Sequence, residues 1–499
     1  MDNVILLTVL PTVTLFGLLW LLHLCVRSPE RSTRDVGKSG KTRNEFRVRD
    51  KPLEDSWRGK GEFRGWFTFL CVLVAFTTLR TVHEEYIATG HFFSRTSLQY
   101  LLRAFVAEAP EFISVVAIQY ALCLGSFLLQ KLLAVSGGSR GRLVVTTAHW
   151  LLVGVLFGGS CLYTYRRLNV LSLSARFAIV TQGAVLCMKS VSYFAMNARL
   201  FELVVGLKKD DKQIEPVSAL TLTQVEDKLR RRGVVVKGEY EGELRRQLET
   251  FRELDEYRAQ VWPSNVTLRN FVEFTTMPVL VYEPRYPRTQ KTSGTYVARK
   301  TAELVGLHVV GLLVVERSIL PVVNNLSMPL YAKVVELLVP VSLVFLVLFF
   351  VVFDCIFPAL AEITGLADRG FYGPWWNATS FADFSCLWNK PVHEFLLRHV
   401  HVAAIEIGLS RKKAAMLTFL VSITLHEILI TALLGSFRPY LAFFSIFQIP
   451  LWPIMRSPVF SEKLIGNVFF WVGLLLGITL VVVLYFSEYC RARGFCTLD

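Results

Sequence analysis

Long apolar segments alternate with polar segments along the whole chain. An α-helix rises about 1.5 Å per residue, so about 20 apolar residues cross a hydrocarbon core of about 30 Å. The pattern predicts an all-α, polytopic membrane protein with about nine core transmembrane helices and an additional N-terminal hydrophobic helix. The ten candidate segments are residues 5–26, 66–82, 112–135, 143–163, 173–196, 302–323, 334–357, 414–434, 440–454 and 464–486.

Two of these segments are irregular. Residues 302–323 are interrupted by Glu316 and Arg317, whereas residues 440–454 are short and contain Gln448 and two prolines. Polar residues and prolines disturb the backbone hydrogen bonding of a spanning helix. We therefore expect both segments to be kinked, tilted or re-entrant.

Composition agrees with a membrane location. The chain has 53% hydrophobic and 13% aromatic residues among its 499, which is too apolar for an ordinary soluble domain. The formal net charge is +14. The basic residues concentrate in polar loops, where anionic lipid headgroups attract them. The lipid bilayer is therefore the expected partner, and no nucleic acid is needed to explain the charge.

The polar segments divide the chain. Residues 1–26 have Asp2 near their start instead of a basic patch and lack a small-residue cleavage site, so they are expected to be an uncleaved anchor. Residues 27–64 are basic and contain Ser, Gly and Pro, which predicts a flexible linker on the cytosolic side. The membrane core is expected at residues 65–490. If successive segments cross the membrane in alternate directions from the cytosolic linker, residues 208–299 and 361–413 are cytosolic and residues 491–499 form a lumenal tail.

His426 lies beside Glu427 in the middle of the apolar segment 414–434. An ionisable side chain at the centre of a bilayer costs about 2.5 to 3.5 kcal/mol on insertion scales, so it normally faces a cavity or a partner. Counted from Lys413, the imidazole lies about 20 Å along the helix. Two interpretations remain open: a base that meets a hydrophobic substrate, or a histidine that packs by hydrogen bonding to a neighbouring helix.

The cysteines and histidines do not suggest a metal site. Six of the nine cysteines lie in apolar segments, where a thiol behaves as a small hydrophobic group. Cys490 and Cys496 lie close together on the predicted lumenal side, where a disulfide can form. His399 and His401 are two residues apart and would not share a helix face, so we predict no metal.

Three short motifs lie between residues 362 and 451. Residues 371–377 read Phe-Tyr-Gly-Pro-Trp-Trp-Asn, residues 387–393 read Leu-Trp-Asn-Lys-Pro-Val-His, and residues 422–427 read Ser-Ile-Thr-Leu-His-Glu. This region resembles the membrane-bound O-acyltransferase superfamily, in particular the branch of sterol and diacylglycerol O-acyltransferases, whose hallmark is Phe-Tyr-x-Asp-Trp-Trp-Asn. Residues 262–289 look like the same branch. The resemblance covers roughly residues 64–490.

The resemblance implies transfer of a long-chain fatty acyl group from acyl-CoA to a membrane alcohol. Such a reaction needs a base at the hydroxyl and a donor at the thioester carbonyl. By similarity His426 is the catalytic base and Asn389 the carbonyl donor, although an asparagine there could also be a helix cap. His393 and Glu427 are candidate helpers. Acyl-CoA is a co-substrate, no cofactor is implied, and attack is expected to be direct.

Further roles follow from the resemblance. Gln448 is expected to line a lipid tunnel, or to satisfy backbone groups freed by Pro450. Two residues depart from the family pattern: Pro374 replaces the hallmark aspartate, and Cys386 stands where related fungal enzymes commonly carry arginine. The residues expected to bind acyl-CoA, several of which an interfacial aromatic belt with basic flanks would also explain, are Tyr372, Trp375, Trp376, Asn377, Trp388, Arg411, Lys412 and Ser422.

The acceptor alcohol is the remaining choice. Residues 381–385 and 393–400 look most like fungal-type sterol acyltransferases, and residues 477–479 read Gly-Ile-Thr where diacylglycerol enzymes tend to have Gly-Gln-Pro. A membrane sterol is therefore favoured, with diacylglycerol as the alternative. A lipid transporter is the non-enzyme alternative, but the internal repeat expected of one is not found. The resemblance further implies the endoplasmic reticulum membrane and a homodimer or homotetramer.

Overall fold

The computed structural model describes residues 108–136, 139–210, 263–284, 286–289, 291–325, 327–450 and 464–493, together with a few single positions. The regular secondary structure of the described residues is helical apart from one isolated bridge between Arg288 and Leu366. We number its helices α1 Ala109–Ser136, α2 Ser139–Arg166, α3 Leu173–Asp210, α4 Leu268–Thr276, α5 Gly294–Asn324, α6 Leu330–Thr364, α7 Phe381–Trp388, α8 (residues 390–406), α9 Arg411–Leu434, α10 Tyr440–Phe447 and α11 Leu464–Arg493.

Seven of the described helices, α1, α2, α3, α5, α6, α9 and α11, are long and apolar enough to cross a membrane. Each coincides with a predicted segment, which confirms the all-α polytopic class. Helix α10 has only 8 residues, so the segment predicted at 440–454 is too short to span as a helix. The predicted segment 5–26 and most of 66–82 lie outside the described residues, as does the linker at 27–64.

Three of the helices contain a π-helical turn. The turn at Val315–Ile319 includes Glu316 and Arg317, so the interruption predicted in α5 is a local widening within a continuous helix. Two further turns, Val351–Ile356 in α6 and Leu397–Val402 in α8, were not predicted. A π-turn inserts one extra residue without stopping the helix, and the hydrophobic pattern does not reveal it.

Helices α1, α2 and α3 pack closely along their lengths. Their shared core is partly polar: Gln119 of α1 donates to the hydroxyl of Ser160 in α2 at 2.9 Å and to the carbonyl of Ile179 in α3 at 2.9 Å. Helix α9 packs against α2 and α3, and α11 packs against α6. Helix α9, which carries His426, thus packs against α2, α3, α8 and α10.

Both ends of the segment 208–299, which is predicted to be cytosolic, are helical. Helix α3 continues through Asp210, and α5 begins at Gly294. Residues 263–289 also pack against the membrane core, because Asn265 Nδ2 donates to Asn197 Oδ1 at 2.8 Å and the backbone N–H of Tyr282 donates to Ser192 Oγ at 2.8 Å. Residues 211–262 lie outside the described residues.

Lys189 of α3 holds the end of α4. Its ammonium donates to the carbonyls of Phe274, Thr275 and Met277 at 2.9, 2.9 and 2.6 Å, and the side chain is fully enclosed. The last carbonyls of a helix have no partner within the helix and carry partial negative charge. A buried cation there supplies both hydrogen bonds and charge, so it joins α4 to α3.

We predict that Lys189→Met destabilises the protein. The substitution keeps the aliphatic stem but removes the donor for three carbonyls, which costs about 1–3 kcal/mol of the free energy of unfolding. The measurement is the thermal unfolding midpoint in detergent. Lys131→Met is the matched control, because Lys131 is an exposed lysine of α1. Equal midpoints for the two variants would contradict the role of Lys189.

Candidate active site

Helix α9 has two accessible faces. One is an apolar row that includes Leu417, Leu420 and Ile428, which are 37–42% exposed. His426 is also exposed but lies roughly 200° around the helix from Thr424 in the middle of that row, at about 100° per residue. The buried positions occupy the two flanks between these faces: Ala414, Ile423, Glu427 and Ala432. His426 therefore faces away from the apolar row.

The ring of His426 has a defined orientation. Its Nδ1 lies 2.7 Å from the carbonyl oxygen of Ser422, one turn earlier in α9. A carbonyl can only accept, so Nδ1 carries the proton and Nε2 of the neutral ring is the acceptor. Nε2 has no hydrogen-bond partner among the described residues. The main chain of Ser422 thus sets the tautomer that a base requires, a contact the sequence did not indicate.

The side chains of Glu427 and His426 form no hydrogen bond with each other in the described structure. Its carboxylate accepts hydrogen bonds from the Tyr485 hydroxyl and, at 3.0 Å, from the backbone N–H of Ala442. The side chain is 5% exposed and lies on a buried flank of α9. In this structure the main chain of Ser422 orients the imidazole, and both carboxylate oxygens of Glu427 have other partners, so a helper role for Glu427 stays a prediction.

Asn389 is the N-cap of α8. Its side-chain oxygen Oδ1 accepts from the backbone N–H of Val392 at 3.2 Å. The amide has two ends, so a cap that uses Oδ1 turns the NH2 group away from the helix. Nδ2 has no hydrogen-bond partner within the described ranges. The two interpretations of Asn389 are thus compatible, since the cap fixes the orientation of a donor.

Asn389 and His426 lie on two helices that are joined by a short connection. Helices α8 and α9 are joined by residues 407–410, and the π-turn Leu397–Val402 packs against α9. At about 1.5 Å per residue, His426 lies about 22 Å and Asn389 about 25 Å from the connection. The two residues are therefore at similar distances from the connection along their own helices.

The other histidines of α8 have different surroundings. His399 Nε2 lies 2.8 Å from Ser192 Oγ, and burial lowers the pKa of His399 to about 4, so this ring is a neutral packing contact. His393 is half-buried one turn after Asn389, and burial also lowers its pKa. His393 remains a candidate helper. The described residues hold no cluster of metal-ligating side chains.

The hallmark aromatic residues divide into a core and a surface. Tyr372 and Trp375 are 4% and 2% exposed and pack against Phe349 with ring centroids 5.0 and 5.2 Å apart. Trp388 stacks on Phe345 at 4.7 Å. These three side chains build a packed wall instead of offering an open surface. Trp376 is less buried, and contact with acyl-CoA stays a prediction for all four of these aromatic residues.

Helix α11 holds the backbone of the motif. Asn467 Nδ2 donates to the carbonyls of Trp376 and Ala378 at 2.9 and 2.8 Å, and Trp471 Nε1 donates to Trp376 at 3.1 Å. Asn377 lies between these two carbonyls. We did not single out Asn467 or Trp471 from the sequence. An asparagine in an apolar segment is the signal that could have identified Asn467.

A pocket of about 430 Å³ opens beside the motif. Pro374 and Cys386, the two departures from the family pattern, both line it, together with Asn377 and Asp383. Asp383 accepts a hydrogen bond from Ser380 at 2.6 Å. Cys386 is exposed overall, but its thiol is partly buried. This burial, and to a smaller extent the negative charge of Asp383, raises the pKa of the thiol.

The remaining predicted positions are spread around this region. Arg411 and Lys412 are exposed with Lys413 in the first turn of α9, after the Ser410 cap. Ser422 is half-buried one turn before His426, and Gln448 is the half-buried C-cap of α10. Cys490 is disulfide-bonded, and its pairing with Cys496 stays a prediction. Cys496 lies outside the described residues.

Comparison with known proteins agrees with the fold and these motifs. A model of the membrane-bound O-acyltransferase family matches residues 163–487, and the chain belongs to this family. It is 37% identical over 235 residues to "Probable sterol O-acyltransferase 1" of Schizosaccharomyces pombe, which covers 45% of this chain and 44% of that protein.

Two further relatives show the same range. Sterol O-acyltransferase 2 of Candida albicans is 35% identical over 237 residues, 45% of this chain and 39% of that protein. Diacylglycerol O-acyltransferase 1B of Glycine max is 32% identical over 243 residues, 47% of this chain and 48% of that protein. The matched region thus spans less than half the length of each of these relatives.

We predict that Cys386 reports on the pocket through its reactivity. Because its pKa is raised, less thiolate is present at neutral pH, so alkylation should be slower than for a free thiol and keep rising beyond pH 9. The measurement is mass spectrometry of alkylated peptides against pH, with Cys386→Ser to remove the signal. Protection by acyl-CoA would support this pocket as its entrance. Alkylation already complete at neutral pH would contradict the prediction.

Proposed function

We propose that the chain catalyses acyl-CoA-dependent esterification of a membrane sterol, acting as an acyl-CoA:sterol O-acyltransferase. The observation that carries the proposal is the accessible His426, whose Nδ1 is held by the Ser422 carbonyl and whose Nε2 is available. Membership of the acyltransferase family and similarity to two sterol O-acyltransferases support the reaction class and the acceptor.

The proposed chemistry is direct transfer in a ternary complex. Nε2 of His426 accepts the proton of the sterol hydroxyl while the oxygen attacks the thioester carbonyl carbon. The carbon–sulfur bond then breaks, and the CoA thiolate leaves and takes up the proton from the ring. No acyl-enzyme is required, because a thiolate is already a good leaving group. Acyl-CoA is consumed as a co-substrate, and the scheme needs no cofactor.

Asn389 is the proposed donor to the thioester carbonyl. Its Oδ1 is held by the N–H of Val392, which leaves Nδ2 to donate to the oxygen as negative charge develops there. A preoriented donor costs no reorganisation during the reaction. His393, on the same helix one turn later, is the proposed helper at this end of the site.

Acyl-CoA is proposed to enter on the cytosolic side beside the hallmark motif. Pro374 and Asn377 are its exposed members and Trp376 is half-buried, while Arg411 and Lys412 are exposed cations for the CoA phosphates. Tyr372, Trp375 and Trp388 support the wall, and Ser422 is proposed near the thioester. Gln448 is proposed to line the lipid tunnel. We further propose that the protein lies in the endoplasmic reticulum membrane and forms a homodimer or homotetramer.

Diacylglycerol is the second candidate acceptor. The observation that favours it is 32% identity over 243 residues to diacylglycerol O-acyltransferase 1B of Glycine max. Purified protein with labelled oleoyl-CoA and cholesterol, ergosterol or diacylglycerol separates the candidates, with the product identified by thin-layer chromatography. Steryl ester supports the proposal, and triacylglycerol alone would replace the acceptor. Absence of any ester would favour the lipid transporter.

We predict that His426→Ala abolishes ester formation while expression is retained, because His426 is the only base in the proposed scheme. Thr424→Ala is the matched control, since Thr424 is exposed on the opposite face of the same helix. The measurement is turnover of labelled acyl-CoA to ester by equal amounts of folded protein. Retained turnover in His426→Ala would remove this histidine from the mechanism.

We predict that Asn389→Ala lowers turnover by about 10²–10³-fold, as loss of a carbonyl donor does. Asn389→Asp separates the two roles, because aspartate still caps the helix but has no amide donor. Equal losses in both variants, measured as kcat, support a donor. Recovery of activity in Asn389→Asp would leave Asn389 a helix cap only.

A further inference from the structure

The short helix α10 is capped by side chains of two other helices. Its N-cap, Pro439, provides no side-chain hydrogen bond. The first N–H groups of a helix lack partners within the helix. Here the N–H of Leu441 donates to the Tyr485 hydroxyl of α11 at 3.2 Å, and the N–H of Ala442 donates to Glu427 of α9 at 3.0 Å.

The two capping side chains also bind each other. The Tyr485 hydroxyl donates to Glu427 Oε1, so one hydroxyl, one carboxylate and two backbone amides form a closed arrangement. Both side chains are 5% exposed. A carboxylate is favourable at the positive N-terminal end of a helix. We call this arrangement the α10 cap.

The α10 cap lies next to the proposed base. Glu427 follows His426 directly in α9, so the cap is attached about 100° around the helix from the imidazole. Helix α10 is thereby fixed along the flank of α9 that borders the His426 face. Gln448, at the other end of α10, lies about 12 Å from Tyr440. The α10 cap therefore fixes the position of α10 relative to His426.

The α10 cap is remote from the hallmark motif. Asn467 holds the motif backbone, whereas Tyr485 lies about 27 Å further along the same helix. Helix α10 packs against α9 and α11. Loss of the cap can therefore displace α10 while Asn467 and Trp471 still hold the acyl-CoA side in place.

We propose that Glu427 and Tyr485 are positioning residues for the acceptor alcohol. They fix α10 as the side wall of the acceptor site beside His426 and touch no reacting atom themselves. This inference rests on the proposed function, because it requires an acceptor that meets His426. It assigns Glu427 a role through α10 instead of through the imidazole.

The first test is Tyr485→Phe in the full-length protein, with cholesterol in mixed micelles and labelled oleoyl-CoA. Loss of one buried hydroxyl should raise the apparent KM for the sterol roughly five- to tenfold. The apparent KM for oleoyl-CoA should change less than about twofold. Thr479→Val is the matched control, because it removes a buried hydroxyl of α11 that has no hydrogen-bond partner among the described residues.

The second test is a double-variant cycle with Glu427→Gln. If both residues act through one cap, Glu427→Gln/Tyr485→Phe should raise the sterol KM no more than the worse single variant. Additive effects, an unchanged sterol KM, or an equal rise in both KM values would overturn the proposal. If the unaltered protein forms no ester, the proposed function itself fails. An active protein in which Tyr485→Phe matches Thr479→Val overturns only the present inference.

Discussion

The membrane core depends on a single constraint, which is that polar groups away from water must find partners inside the protein. Buried charged side chains meet it at helix ends. Lys189, Arg176 and Lys333 donate to carbonyls at the C-terminal ends of α4, α9 and α5. Glu108 accepts from Ser172, next to the start of α3, and Glu427 accepts at the start of α10. Cations thus sit at negative helix ends and anions at positive ones, as the helix dipole favours.

Much of the architecture could be predicted from apolar length alone, because a spanning helix needs about 20 apolar residues. Helix α10 could not, since residues 440–454 have the composition of a span but end their helix at Phe447. The π-turns were also beyond reach, because one inserted residue shifts a helix face without changing its hydrophobicity. The N–H groups of Leu441 and Ala442 at the start of α10 donate to Tyr485 of α11 and Glu427 of α9. Both partners lie on other helices, so the sequence of α10 does not reveal them.

The sequence predicts some residues of the candidate site but not the contacts that position them. His426 stands out as an ionisable residue in an apolar helix, and Asn389 as part of a motif, so both were predicted. The partners of Glu427 were not, because spacing along α9 cannot show that Tyr485 of α11 lies opposite. Burial of Tyr372 and Trp375 was equally hidden, since aromatic residues suit a packed wall and an interfacial surface alike.

The hydrogen bonds from Asn467 to the main chain of the hallmark motif bear on the side chain that position 374 can carry. The turn is fixed through carbonyl groups, and φ at Pro374 is −74°, which a pyrrolidine ring accepts without strain. The side chain at position 374 can thus differ while the backbone conformation of the loop stays the same. The backbone shape of this loop and the charge of side chain 374 are therefore separable properties.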